Sequence, residues 1–243
     1  MGSTGTVLRE LRGAQKSAKG VSLYSRYVNR PAGRVLAAGA FRAGMTPNQV
    51  TVASGLFTYG ALAAVALVEP SWTLAVLVHA ALAAGFALDS ADGQLARLTG
   101  RGGPDGEWLD HVVDCGKLVL VHTAVLISFY RFGELPSDAW LLLPLGFQLA
   151  AVVTFCAGLL REQLGKAAAS ARGPSWAVPQ AASPVRAVAL LPADYGVFCL
   201  VFLLLGAPGA FRAGYAVLAV VHTLFLAAFL AKWFRELKGL RAG

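Results

Sequence analysis

Cysteine, histidine and acidic side chains are all scarce in this chain, and each scarcity removes a class of protein. The 243 residues hold three cysteines, Cys115, Cys156 and Cys199, with no C-x-x-C pair among them. That excludes a disulfide-stapled scaffold and a cysteine-ligated zinc site. It leaves the three as small buried apolar side chains. The four histidines, His79, His111, His122 and His222, are isolated in the sequence. His111 follows Asp110 directly, but adjacent helix positions point about 100° apart, which favours polar packing over a shared site. Charged residues make up only 14% of the chain, against about a quarter in an ordinary soluble domain.

What fills the space is apolar. Hydrophobic residues account for 56% of the chain, and the mean hydropathy is +0.60. A helix needs about 20 apolar residues to cross a ~30 Å hydrocarbon core. Six stretches qualify, over 49–68, 72–91, 108–130, 139–160, 187–206 and 210–233; the third and fifth carry polar residues. The fold class is therefore an all-α integral membrane protein, with six transmembrane helices preceded by an amphipathic juxtamembrane helix. Residues 1–44 form a basic N-terminal segment, 45–238 the six-helix transmembrane domain and 239–243 a C-terminal tail. No internal repeat is evident, and the Ala/Ser/Pro-rich stretch 165–186 is the one long connection.

Residues 1–44 do not read as a signal peptide, because no continuous apolar core ends in a small-residue cleavage site. They carry eight basic residues against one acid, Glu10. Residues 1–20 read as a basic tail. Residues 24–41, "YSRYVNRPAGRVLAAGAF", fit a helix with one apolar and one arginine face, interrupted or started at Pro31, lying on an anionic leaflet. With six spans, 18 of the 21 Lys and Arg fall on one side. That asymmetry predicts a multi-pass protein of the cell membrane with both termini and the polar site cytoplasmic. Topology and anionic membrane lipid account for the net charge of +8, so no nucleic-acid partner is expected.

The acids are unevenly placed. Six of the thirteen, Asp89, Asp92, Asp105, Glu107, Asp110 and Asp114, lie within 27 residues, "LDSADGQLARLTGRGGPDGEWLDHVVD", between two apolar runs. Asp89 and Asp92 are three apart, Asp110 and Asp114 four apart, and both spacings put a pair on one helix face. The Gly-rich "RLTGRGGPDG" between them makes spans two and three antiparallel neighbours, which brings four carboxylates together near the membrane surface. Such a cluster repels itself and is costly to dehydrate. All-oxygen donors suit Mg²⁺, Mn²⁺ or Ca²⁺ rather than zinc, and two such ions can clamp a pyrophosphate. Gly93 and Ala96 keep the helix face open, and Arg97 can fork onto a phosphate. An EF-hand fails, since Gly93 and Gly100 occupy the wrong loop positions. Asp105 reads as a solvated loop acid. A cation or proton pathway remains the alternative use of intramembrane carboxylates.

Asp89-x-x-Asp92-Gly93-x-x-Ala96-Arg97, eight residues, Gly106, three residues, Asp110, three residues, Asp114 resembles the signature of the CDP-alcohol phosphatidyltransferase family, with all eight fixed positions present at their spacing. The resemblance implies a six-helix membrane enzyme, a homodimer, with an amphipathic N-terminal helix and a cytoplasm-facing polar cavity. Such an enzyme transfers a phospho-alcohol group from a CDP-alcohol, such as CDP-diacylglycerol, to an acceptor hydroxyl and releases CMP. Carried over by position, Asp89, Asp92, Asp110 and Asp114 ligate two divalent cations, Mg²⁺ or Mn²⁺. Asp114 is the family's candidate general base or else a ligand only, and Gly93, Ala96, Arg97 and Gly106 line the nucleotide site. "MTPNQVT" (45–51) is similar to the family's first-span start, where Pro47, Asn48 and Thr51 reach the nucleotide; the same residues also suit a helix N-terminus capped by Thr46.

For the acceptor the candidates are Arg161, Arg186 and Asp194. Leu159 stands where inositol-phosphate-using members carry a basic residue, which disfavours that acceptor. Lys117, three residues after Asp114, either balances the acids or snorkels. A soluble CDP-alcohol donor is the alternative within the family. Intramembrane prenyltransferases need a second Asp-rich motif that is not found, and a small cation transporter is the rival from outside enzymology. The 44 residues ahead of the first span are too few for a nucleotide-activating domain.

Overall fold

A computed structural model describes residues 8–11, 21–172, 187–188 and 190–239. Among them the chain is helical, without a strand. Helix α1 (Arg30–Arg42) follows a π-helical turn, Ser25–Asn29, so the expected interfacial helix is nearly continuous. Pro31 gives the turn its cause. It has no N–H to donate one turn back, and its ring crowds that carbonyl. α1 buries Gly33, Ala37, Ala38 and Ala40 and leaves Val35, Leu36 and Phe41 outward.

Among the described residues, five helices are long and apolar enough to cross a membrane. α2 (Pro47–Leu67) opens with a reciprocal cap. The Gln49 N–H donates to Thr46 Oγ1 at 3.3 Å, and the Thr46 N–H donates to Gln49 Oε1 at 2.9 Å. α3 (Trp72–Thr99) is capped by Ser71, whose Oγ accepts the Leu74 N–H, and it stops at Gly100, which takes φ 64°. Only glycine adopts that conformation without penalty, so the chain reverses here. α4 (Pro104–Phe132) starts four residues earlier than the apolar run, with Pro104 in its first turn. Asp105 thus belongs to that first turn instead of a loop. α5 (Leu142–Arg172) follows a 3₁₀ turn at Asp138–Leu141, and α7 (Pro208–Gly239) closes the chain.

The expected span over 187–206 is the exception. Its described part holds a 3₁₀ turn, Leu191–Ala193, and then a short helix, α6 (Tyr195–Leu200), continued as a second 3₁₀ turn, Val201–Leu204. Ten helical residues rise roughly 15 Å, half of a hydrocarbon core. Pro192 withholds a donor, and Asp194 takes extended angles and caps a fresh start by accepting the Gly196 N–H at 2.7 Å.

Small residues let α1–α4 pack closely, as membrane helices require. Ser54 Oγ donates to the Gly85 carbonyl at 2.8 Å, and a Cβ at Gly85 would lie 2.3 Å from Thr58 Oγ1. The Tyr59 hydroxyl donates to the Val113 carbonyl at 2.9 Å. Away from the acids, Phe129, Phe147, Phe198, Phe202, Phe211 and Tyr215 form an aromatic core. His122 pairs with the Tyr215 hydroxyl at 2.7 Å, and both His122 and His222 pack at a tilt against Phe147. These two histidines, isolated in sequence, share Phe147 as a neighbour. Of the cysteines only Cys199 is buried, while Cys156 is exposed.

Candidate active site

The site forms where α3 and α4 approach their shared turn. One oxygen each of Asp89, Asp110 and Asp114 lies within 4.8 Å of the others, a group that can hold a metal ion. Asp92, one turn beyond Asp89, is only 6% exposed. Its Oδ2 accepts the Thr51 hydroxyl of α2 at 2.6 Å, and its Oδ1 accepts the Gly93 N–H. Thr51 is itself buried, and its Oγ1 also lies 3.2 Å from the Pro47 carbonyl oxygen one turn back. A carboxylate buried with two donors has a fixed rotamer, which is what an ion-binding oxygen needs.

Lys117 supplies a cation from within. Its ammonium donates to Asp89 Oδ1 and, at 3.0 Å, to Asp114 Oδ1, and the residue is 5% exposed. The sequence left open whether Lys117 balances the acids or snorkels to the surface. It balances them.

Beside the carboxylates lies a cleft of about 650 Å³, a volume that suits a nucleotide. Pro47, Asn48 and Thr51 of α2 line one wall, Gly93, Ala96 and Arg97 of α3 another, and Gly106 of α4 a third. All seven residues expected at a nucleotide therefore share one space, with Asp92 and Asp110 at its floor. A Cβ at Gly106 would sit 3.2 Å from Asn48 Oδ1, and one at Gly93 would sit 3.3 Å from the Arg97 guanidinium. At both points the missing side chain leaves polar groups open to the cleft.

The three acceptor candidates fare differently. Arg161 is engaged by α7, with its Nε and Nη2 donating to Glu236 Oε2 at 3.0 and 2.7 Å. Asp194 is a clasp. Besides capping α6 it accepts the Ser22 hydroxyl and, at 2.6 Å, the Ser25 hydroxyl, fastening the segment before α1 to α6. Arg186 lies outside the described residues. What sequence reading missed are other residues at the cleft: Arg101, His111, Glu107, Glu162 and Lys166. Lys166 bridges Glu107 at 3.1 Å and Glu162 at 3.0 Å. His111 Nδ1 comes within 4.0 Å of Asp110 Oδ2 despite their adjacency. The Glu107-to-His111 and Glu162-to-Lys166 spacings of four were the available signals.

Helices of membrane length, gathered around an oxygen-donor cluster that opens onto a polar cleft, define an integral membrane protein whose chemistry sits at one end of its bundle. A family model for CDP-alcohol phosphatidyltransferase matches residues 44–231, and the chain belongs to that family. It is thus a transferase of a phospho-alcohol group from a CDP-alcohol to a hydroxyl. None of the curated proteins compared with it matches.

Proposed function

We propose that the protein transfers a phosphatidyl group from CDP-diacylglycerol to an acceptor alcohol and releases CMP, in phospholipid synthesis. The observation that carries this reading is the shared cleft, in which the seven nucleotide-site residues line one space with Asp92 and Asp110 of the carboxylate cluster. The catalytic unit is residues 45–238, with the amphipathic helix of residues 24–41 lying on an anionic leaflet and both termini cytoplasmic. A homodimer is part of the same reading.

The donor set fits divalent cations, since Asp89, Asp110 and Asp114 offer oxygens within 4.8 Å and Thr51 locks Asp92 beside them. Two ions, Mg²⁺ or Mn²⁺, held by these four residues would neutralise the diphosphate and polarise the attacked phosphorus. The chain's own residues do the rest. Pro47, Asn48 and Gly106 admit the cytidine end of the donor, and Arg97 takes a phosphate oxygen. Asp114 accepts the proton of the acceptor hydroxyl. The acceptor oxygen then bonds to the β-phosphorus, the bond from that phosphorus to the α–β bridging oxygen breaks, and CMP leaves with the bridging oxygen. In this reading Arg161 and Asp194 serve the architecture, and the acceptor is met by other residues.

The test is CMP release by the purified protein in detergent with Mg²⁺ or Mn²⁺, CDP-diacylglycerol and one acceptor per reaction. Release with a single acceptor, lost in Asp110→Asn and Asp114→Asn, is the expected result. Release only with a water-soluble CDP-alcohol would replace the donor. Failure to bind any CDP compound would leave cation transport as the better account.

A further inference from the structure

The four carboxylates divide between two spaces. Asp92 and Asp110 line the nucleotide cleft, near the turn that joins α3 to α4. Asp89 and Asp114 line a smaller cavity of about 150 Å³, one helical turn deeper in the bundle. Displacement at phosphorus sets the attacking and leaving oxygens in line, on opposite sides of the reacting atom. In the proposed reaction CMP leaves into the cleft. The attacking hydroxyl therefore arrives from the cavity, where Asp114 lies to take its proton.

The walls of that cavity describe what it takes. Beside the charged groups stands the Thr58 hydroxyl, fully buried and with no hydrogen-bond partner among the described residues. A buried hydroxyl is seldom left so, and this one can bond to a hydroxyl of a bound molecule. The rest of the wall is apolar, formed by Phe86, Leu118, Phe155 and the Tyr195 ring. Leu118, Phe155 and Tyr195 also line a further cavity of about 180 Å³, so the two adjoin. That cavity follows α5 from Phe155, which packs on His111, to Phe147, which packs on His122. Eight residues of helix carry it roughly 12 Å further from the α3–α4 turn. Its polar residues are engaged within the bundle: His122 with the Tyr215 hydroxyl, Thr154 with the Ala150 carbonyl and His222 with the Leu218 carbonyl. A polar handle at one end and an apolar trough behind it match an amphiphile.

We propose that the acceptor is a membrane-borne alcohol, whose hydroxyl head enters between Asp114 and Thr58 and whose apolar body lies in the adjoining cavity, and that Thr58 selects it by hydrogen bonding to the head. This acceptor class rests on the transfer reading above and deepens it. A small water-soluble acceptor would set its polar groups against apolar walls, at the cost of their hydration.

The probe is octanol carrying a diazirine on its chain, photolysed with the purified full chain in lipid nanodiscs and located by peptide mass spectrometry. Octane with the same diazirine is the control. Octanol labels the stretches 118–122 and 147–155 saturably, and octane does not. Thr58→Val raises the half-saturating concentration about three- to tenfold, the scale of one hydrogen bond, and Thr58→Ser restores it. Ala151→Phe, which fills the adjoining cavity, removes the saturable label, and an excess of CDP-diacylglycerol leaves it in place. Octane labelling as octanol does, or an unchanged half-saturation in Thr58→Val, overturns the proposal. So does displacement by CDP-diacylglycerol, which would give both cavities to the donor's chains. CMP release separates this failure from that of the reaction itself. Release with phosphatidylglycerol or diacylglycerol is the expected result. Release only with glycerol phosphate, inositol phosphate or serine overturns the acceptor class and leaves the transferase reading standing.

Discussion

Thr51 and Asp92 stand 41 positions apart and share a 2.6 Å hydrogen bond, which makes the threonine a support for the carboxylate as well as a wall of the cleft. Thr51→Val keeps the shape and deletes the donor, so metal affinity and CMP release should each fall about 10–100-fold, the usual cost of losing an outer partner of a metal ligand. Thr51→Ser should retain most of both, and a Mn²⁺ titration beside the CMP assay checks it. Chelation gives a second expectation: EDTA abolishes CMP release and added Mn²⁺ restores it. At this scale the sequence was legible where spacing alone decides geometry. The i,i+3 and i,i+4 pairs of Asp89, Asp92, Asp110 and Asp114 needed only a helix. The bond from Thr51 to Asp92 and the double pairing of Lys117 depend on the register between helices, which no single helix reveals. The partners of Arg161 and Asp194 were hidden for a related reason. A polar residue at a span end looks free until the neighbouring helix shows Glu236 or the Ser22–Ser25 segment against it.

At the scale of elements, close approach between helices holds the carboxylates in place. Gly85 lies where α3 crosses α2, and a methyl there would meet Thr58 Oγ1 at 2.3 Å and the Ser54 carbonyl at 3.1 Å. Gly85→Ala should therefore destabilise the fold by about 1–3 kcal/mol, as overpacking usually does, lowering the melting temperature in detergent. Gly196 is tighter still, with the Tyr24 ring 2.0 Å from a would-be Cβ. Gly196→Ala should loosen the segment before α1 from α6, seen as faster proteolysis between residues 21 and 30 than in wild type. Most helix limits were readable from caps and breakers: Thr46-Pro47 begins α2, Ser71 begins α3, and Gly100 ends it. The helix at 195–204 was not, because a hydropathy run counts apolar side chains and overlooks what Pro192 and Asp194 do to the backbone. The early start of α4 escaped for the opposite reason, since its first turn is polar and helical at once.

For the whole molecule, the apolar surplus faces outward. Leu56, Leu77, Tyr130, Leu149, Leu224 and Phe234 are all exposed, a surface that only lipid or another protein chain can cover. The membrane class was legible from composition because it is a bulk property, and the cluster's location was legible because six acids stand out against an apolar background. The orientation makes a prediction of its own. In intact cells, on a background lacking Cys156, a cysteine at Ser137 in the turn before α5 should react with an impermeant maleimide, and one at Ala167 near the end of α5 should react only after lysis. The reverse pattern would put the carboxylates on the outer face, away from cytoplasmic CDP compounds. The most direct test of the central claim follows the phosphorus. CDP-diacylglycerol labelled in its β-phosphate is offered with Mn²⁺ and the active acceptor, and the label is located after turnover. The account predicts that all of it enters the lipid product while the CMP released is unlabelled. Label appearing as phosphatidic acid with the acceptor unchanged, or no turnover while Mn²⁺ is bound, would contradict it.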